Sequence, residues 1–217
     1  MSGATRLLYA TAALLAVSAL VHGAVWLMDG SPWAGPVSWR KPIEFSASFA
    51  ITLATVGWIL TKLVGPAWLR WSIAVTLAIA SLAEVALIAM QRWRGVASHF
   101  NYASSFDSAV FSAMGVFVGL VALAIVAILV WSLVTTPKLE PDLRVAVRLG
   151  LVMLAIAQAL GGVLLAQGFA ALDQGPVPSP VSSVVVLHGV FLHGVQVLPL
   201  AALVLRRLRR PAGYAVR

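Results

Sequence analysis

The chain has 217 residues, of which 61% are hydrophobic and only 10% are charged, whereas roughly a quarter of the residues of a soluble domain are charged. It contains no cysteine, which excludes disulfides, thiolate metal sites and cysteine nucleophiles. The formal net charge of +8 does not indicate a nucleic-acid partner here, because basic residues flank the helices of membrane proteins on the cytoplasmic side. We interpret the whole chain, 1–217, as a single transmembrane domain.

Apolar segments of about 20 residues recur along the chain, each long enough to cross a bilayer core. Lipid cannot hydrogen-bond the backbone, so we expect these segments to be helices packed in a bundle. The first segment follows Arg6 as a signal peptide would, but its apolar run continues to Met28 and is too long for one. The sequence therefore predicts an all-α integral membrane protein with about six transmembrane helices. The predicted spans are 6–28, 43–63, 67–91, 107–133, 144–167 and 184–206.

The basic residues are divided unequally between the two sides of such a bundle. Eleven lie on the side of the termini and four on the other, which predicts that both termini are cytoplasmic in a multi-pass protein of the inner membrane. The four on the outer side are Arg40, Lys41, Arg92 and Arg94. We interpret them as partners of nearby carboxylates or as side chains that extend to lipid headgroups. Gly115 and Gly119 have the spacing that permits close helix packing.

Polar residues of the predicted spans are concentrated in the outer half. Ionisable side chains in a membrane cost at least a few kcal/mol each and usually face the bundle interior or a wet cavity. We therefore expect one cavity that opens outward. The candidate catalytic residues are Glu84, Asp107 and Glu44. The candidate binding residues are His22, Trp26, Trp39, Arg40, Gln91, Arg94, His99, Asn101, Gln158, His188, His193 and Gln196.

Several of these residues have simpler interpretations. Glu84 and Gln91 are seven residues apart and are predicted to share a helix face. Asp107 follows a serine pair and is also explained by a helix N-terminus, where acids are favoured. His22, considered alone, can also be interpreted as a polar group whose hydrogen bonds are satisfied within the protein. His188 and His193 belong to a broad polar face of the last helix.

Acid catalysis on a lipophilic substrate is our first functional hypothesis. A carboxylic acid in a dry, apolar pocket holds its proton and can donate it, and aromatic faces stabilise cations. Both features are present in the outer half, and together they suit proton-initiated cyclisation of an isoprenoid. Glu84, the acid deepest in its helix, is the predicted proton donor, assisted by Asp107 or Glu44. His188 and His193 would orient substrate or water, and the tryptophans would line the pocket.

The chain also resembles known families. It resembles small bacterial multipass membrane proteins in the segments Trp39-Arg40-Lys41-Pro42, Arg94-Gly95, Ser98-His99-Phe100-Asn101 and Gln196-Val197-Leu198-Pro199, with His188 and His193. Its composition, rich in Ala, Val and Arg, is similar to that of actinobacterial proteins. In size and helix-only architecture it is similar to the membrane-bound terpene cyclases of drimentine-type pathways. The second resemblance implies protonation of an alkene followed by ring closure. It assigns no catalytic role to a particular residue of this chain.

Two other functional classes stay open. Imidazoles bind iron, copper and zinc, so His22, His188 and His193 are candidate ligands of a b-type haem or a metal in a redox protein. No cofactor is expected under the first hypothesis. A small transporter or accessory subunit is the third possibility, although no internal symmetry is evident. The expected partners are the bilayer and a lipophilic small molecule, and the oligomeric state is not predicted.

Overall fold

The computed structural model describes residues 1–172 and 183–209, and within these ranges every regular element is a helix. The six helices are α1 (Gly3–Asp29), α2 (Arg40–Lys62), α3 (Ala67–Trp93), α4 (Ser105–Val134), α5 (Pro141–Leu172) and α6 (Ser183–Arg209). All six are long and apolar enough to cross a membrane. The prediction of six helices, each long and apolar enough to cross a membrane, is confirmed for the described residues, and each predicted span coincides closely with one helix.

The helix ends follow local sequence signals. Ser2 caps the start of α1 by accepting a hydrogen bond from a backbone N–H of the first turn, and Gly30 ends the helix in the left-handed conformation at φ 63°. Ser104 caps α4 in the same way, with its hydroxyl 3.1 Å from the backbone nitrogen of Asp107. The helix that carries Asp107 therefore starts at a position fixed by its own sequence.

The helices pack in a closed order. The helix α1 packs against α2 and α3, α3 packs against α4, α4 against α5 and α5 against α6, while α6 also touches α2. Buried aliphatic side chains form one core across these helices, including Leu8, Val56, Leu77, Ile125 and Leu151. We call the end where α1, α3 and α5 finish the polar end, and the opposite end the basic end.

Close packing by glycine occurs between α5 and α6. A Cβ at Gly150 would lie 2.7 Å from the Cα of Val195, so only glycine allows the two backbones to approach this closely. The close packing that the spacing of Gly115 and Gly119 permits is not used within the described chain, because a Cβ at either would meet no atom of it within 4 Å. Those two glycines of α4 face away from the other helices.

Arginines at the basic end cap helix C-termini. Arg70 donates to the carbonyl oxygen of Leu63 at 2.6 Å, just after α2. Arg148 donates to the carbonyl oxygens of Ser132 at 2.7 Å and Thr135 at 3.0 Å, at the end of α4. The last carbonyls of a helix lack intrahelical partners and carry partial negative charge, so these two arginines stabilise the fold.

Candidate functional site

Asp107 is held by three side chains at the polar end. Its carboxylate accepts hydrogen bonds from Arg94 at 2.6 Å, from Gln91 at 2.9 Å and from the hydroxyl of Ser104 at 2.7 Å. Arg94 also donates to the side-chain oxygen of Gln91, and Asp107 is only 4% exposed. The pairing of an outer arginine with Asp107 and its place near a helix N-terminus are both confirmed. A carboxylate that accepts hydrogen bonds from three side chains fixes the conformation of the loop between α3 and α4.

A second group of side chains joins the ends of α1, α2 and α3. Asp29 accepts hydrogen bonds from the indole of Trp39 at 2.8 Å and from Arg92 at 3.1 Å. The guanidinium of Arg92 lies 4.1 Å from the centre of the Trp39 ring, and Trp93 packs edge-on against that ring at 4.9 Å. Cation–π contact and the carboxylate therefore hold Arg92 in one orientation.

His22 lies behind this stack and has partners at both ring nitrogens. Its Nδ1 is 2.8 Å from the carbonyl oxygen of Ser18 and therefore donates to it, which leaves Nε2 to accept a hydrogen bond from the indole of Trp93 at 3.4 Å. The Ser18 hydroxyl contacts Ser46 of α2 at 3.0 Å. His22 is thus a satisfied polar group that links three helices, as the simpler of its two interpretations predicts.

Two further tryptophans, Trp26 and Trp33, lie at the polar end. Trp26 donates its indole N–H to the carbonyl oxygen of Ser31 at 3.0 Å, and its ring packs edge-on against Trp33 at 4.8 Å. Both contacts lie at the junction of α1 with the loop that follows it. In this arrangement Trp26 fixes the loop.

His99 is packed between aromatic rings of two helices. It lies 5.7 Å from Phe45 of α2 and 6.1 Å from Phe111 of α4, measured between ring centres. Its Nδ1 is 2.9 Å from the hydroxyl of Ser98. Burial, with a smaller contribution from the charge of Lys41, lowers the pKa of His99 to about 3. The imidazole is therefore neutral at physiological pH.

The next two residues fix the conformation of this loop. Phe100 has φ 55°, a left-handed conformation that is unusual for a bulky residue. Its ring packs against Phe111 at 5.0 Å and against Phe169 of α5 at 5.5 Å, and these contacts hold the strained backbone. Asn101 donates to the carbonyl oxygen of Ala97 at 3.0 Å and closes the turn. The predicted binding residues His99 and Asn101 thus belong to a tightly packed loop at the polar end.

Glu84 is a buried acid with no visible partner. It is 1% exposed, and neither carboxyl oxygen has a hydrogen-bond partner among the described residues. It shares a buried face of α3 with Ser81, Ile88 and Gln91, so the predicted common face of Glu84 and Gln91 is confirmed. An isolated buried carboxylate costs far more free energy than a buried neutral acid. The arrangement therefore favours a carboxyl group that keeps its proton.

The third predicted acid is in a different setting. Glu44 lies in the second turn of α2 and is exposed at the surface of the bundle. Arg40, one turn before it, is half-buried, and its Nε has no hydrogen-bond partner among the described residues. Glu44 therefore does not share the enclosed environment of Glu84.

The polar residues of α5 and α6 do not form one continuous face. His188 donates from Nδ1 to the carbonyl oxygen of Ala157 at 2.8 Å, and the amide of Gln158 is 3.4 Å from the carbonyl oxygen of Leu154 in its own helix. His193 is exposed at the surface of the bundle. His188 therefore links α6 to α5, and Gln158 interacts with the backbone of its own helix.

Gln196 lies deeper, in a cleft between α2 and α6. Its amide is 3.4 Å from the hydroxyl of Thr52, and the open cleft beside it has a volume of about 310 Å³. The lining includes Thr55, Trp58 and Pro199. This cleft is mostly apolar and lies apart from the Asp107 cluster.

The geometry does not assemble the predicted metal ligands. Among the described residues, no three His, Asp or Glu side chains are placed so that they could hold a metal ion. His22 is on α1 and His188 and His193 are on α6, and α2 contacts both of those helices. The haem or metal alternative stays a prediction that no described contact favours.

Three residues of the polar end were not among the predicted site residues. Asp29 and Arg92 form an ion pair that sequence analysis did not propose, and Lys41 lies beside His99. Arg92 and Lys41 each adjoin a predicted site residue in the sequence, Gln91 and Arg40, which was the available signal, whereas Asp29 was marked only by its position directly after the first predicted span. Comparison with protein-family models, with curated proteins and with solved structures finds no match.

Proposed function

We propose that the chain is a membrane-embedded enzyme in which Glu84 is the general acid and the substrate is a lipophilic, isoprenoid-like alkene. The observation that carries this proposal is the environment of Glu84, which is buried in a helix that can span the membrane and has no partner for either oxygen among the described residues. A carboxyl group in apolar surroundings keeps its proton at neutral pH and is therefore available as a general acid.

The other two acids are less suited to this role. Asp107 already accepts three side-chain hydrogen bonds, including one from Arg94, and donating a proton would require that network to be rebuilt. Glu44 is exposed at the bundle surface. We therefore assign Asp107 a positioning role and give the proton transfer to Glu84.

Aromatic side chains pack near Ile88, which lies one turn from this acid on α3. Ile88 is one turn from Glu84 on the same buried face, and Phe45 of α2 packs against the cluster that contains Ile88. The ring of Phe45 is in turn tilted against those of Phe49, at 6.4 Å, and His99, at 5.7 Å, measured between ring centres. Aromatic π-faces near the acid would stabilise a carbocation without adding to it.

The proposed reaction needs no co-reactant. The Glu84 carboxyl gives its proton to one carbon of an alkene, which forms a C–H bond and leaves a carbocation on the neighbouring carbon. A second alkene of the same molecule attacks that cation and forms the ring C–C bond. Loss of a proton from an adjacent carbon restores an alkene and returns a proton to the carboxylate, so the product is an isomer of the substrate.

The test is conversion of linear prenyl compounds by the purified protein in lipid nanodiscs. Gas chromatography with mass spectrometry should show a cyclic product of unchanged mass for the wild type. Glu84→Gln should abolish it, while Glu140→Gln, which changes an exposed carboxyl group at the basic end, should retain it. Full turnover by folded Glu84→Gln, or no product from the wild type with any prenyl compound, would refute the proposal.

We further propose that both termini are cytoplasmic and that the polar end faces outward in the inner membrane of a bacterial cell. The excess of basic residues at the basic end supports this orientation. Trp68 and Trp71 are exposed at that end, and Trp33 and Trp93 are exposed at the polar end, as expected of residues at two membrane interfaces.

A further inference from the structure

A shallow depression at the polar end gathers cationic and hydroxyl groups from three segments. Its lining includes Ser38 and Lys41 at the start of α2, Arg92 at the end of α3 and Ser98 in the following loop. Pro42 and Ile88 are apolar members of the lining, and we call them its apolar floor. In this structure the depression leaves no space for a water-sized sphere, so a ligand must displace part of its lining.

Of the two cations in this depression, Arg92 is paired with Asp29, whereas Lys41 has no carboxylate partner among the described residues. The ion pairs of the described chain join Arg92 to Asp29, Arg94 to Asp107, and Arg206 to Glu140 and Asp142. None of them includes Lys41. The imidazole beside Lys41 is neutral, since the pKa of His99 is about 3. A half-buried ammonium without a counter-ion is costly, and a bound anion would remove that cost.

Unused hydrogen-bond donors point to the same ligand. Ser38 is 2% exposed, and its hydroxyl has no partner among the described residues. The Nε of Arg92 is also buried without a partner. The depression adjoins the N-terminus of α2, whose first residue is Arg40 and whose cap residue Trp39 makes no side-chain capping bond. Free backbone N–H groups at a helix start favour anions.

We infer that Ser38, Lys41, Arg92 and Ser98 form a binding site for the phosphate or diphosphate head of a lipid-tailed ligand. The apolar floor gives the direction of the tail. Ile88 lines the depression and lies one turn from Glu84, about 6 Å along α3. A head held by Lys41 thus places the first part of its tail toward the acid. That the ligand is the substrate rests on the proposed function, whereas the anion site itself does not.

The test measures binding to the protein in phosphatidylcholine nanodiscs with three probes: farnesyl diphosphate, farnesol and inorganic diphosphate. Farnesyl diphosphate should bind at least about tenfold more tightly than farnesol, because hydrogen bonds to a charged group are stronger than those to a hydroxyl group. Inorganic diphosphate should compete with it. Lys41→Gln and Ser38→Ala should weaken binding of farnesyl diphosphate, Lys41→Arg should retain it, and Lys62→Gln, at the opposite end, should have no effect.

The remaining outcomes separate this inference from the proposed enzyme. Equal binding of farnesol and farnesyl diphosphate, or unchanged binding by folded Lys41→Gln, would overturn the anion site. Glu84→Gln should bind farnesyl diphosphate as the wild type does, even if turnover is lost. Displacement by nanodiscs rich in phosphatidylglycerol, with the same dependence on Lys41, would support the anion site but overturn its assignment to a substrate in favour of a lipid headgroup.

Discussion

Arg94 donates to the carboxylate of Asp107 at 2.6 Å across the loop that joins α3 to α4. The side chain of Asp107 is almost fully buried and that of Arg94 is partly exposed. The pair therefore fixes where α4 starts relative to the end of α3. It also fixes both ends of the loop that carries His99 and Phe100.

Asp107→Asn should lower the midpoint of thermal unfolding in detergent, because it leaves Arg94 without an anion and weakens the start of α4. Asp142→Asn is the matched control, since Asp142 pairs with Arg206 at an exposed position, and surface pairs contribute only about 0–1 kcal/mol. Circular dichroism during heating compares the two variants. Equal midpoints would show that the buried pair has no special structural role.

Glu84→Leu should stabilise the protein although it abolishes the proposed reaction. Burying a polar group without a partner costs about 1–3 kcal/mol, and leucine has a similar size without that cost. We expect the free energy of unfolding to rise by about that amount, whereas turnover is lost, as at other sites where function opposes stability. Denaturant titration provides the measurement. A destabilised Glu84→Leu would mean that the carboxyl group has a hydrogen-bond partner in the membrane.

Stability should fall as the pH drops below the ordinary pKa of histidine because of His99. Burial, and less strongly Lys41, lower the pKa of His99 from 6.5 to about 3 in the folded protein. Between these values the unfolded chain binds a proton that the folded chain does not, so acid favours unfolding. From about pH 7 to about pH 5 the wild type should lose about 2 kcal/mol of stability relative to His99→Gln.

The control for this pH dependence is His193→Gln, which changes a histidine exposed at the bundle surface. Unfolding of the three proteins is compared over the same pH series. His193→Gln should follow the wild-type profile. If the profile of His99→Gln also followed the wild type, His99 would not be the group responsible.

The six spans were predictable because each is a long apolar segment bounded by polar or turn residues. The residues at which the helices start were less predictable. The span predicted from residue 43 belongs to a helix that begins at Arg40, since apolarity marks only the part of a helix that lies in lipid. This difference places Arg40 and Lys41 in the first turn of α2, where they contribute to the polar end.

The rotation of each helix was not predictable. Because successive helices run in opposite directions, Gln91, Arg94 and Asp107 could be predicted to lie at the same end of the bundle. The structure brings these three side chains into contact. In a membrane, however, the outward face is as apolar as the inward face. The cost of ionisable side chains in lipid predicted that Glu84, Glu44 and His193 all face the interior. This holds for Glu84, which is buried, but not for Glu44 and His193, which are exposed.

Gly168→Val should detach the loop from α5. A Cβ at Gly168 would overlap the ring of Phe100, so the loop must move, at a cost of about 1–3 kcal/mol for overpacking. Gly162→Val is the matched control in the same helix, because a Cβ there meets no described atom within 4 Å. Hydrogen exchange of residues 94–104 should accelerate in Gly168→Val alone. Equal exchange in both variants would contradict the contact.

The orientation of the bundle can be tested with single cysteines, because the chain contains none of its own. Ala34, between α1 and α2, and Thr136, between α4 and α5, are both exposed and lie at opposite ends. If the basic end is cytoplasmic, a membrane-impermeant maleimide should label Ala34→Cys in cells or spheroplasts with an intact inner membrane. Thr136→Cys should be labelled only after that membrane is permeabilised. The reverse pattern would place the polar end, and with it Lys41 and Asp107, on the cytoplasmic side, and the substrate would then have to reach Glu84 from the inner leaflet.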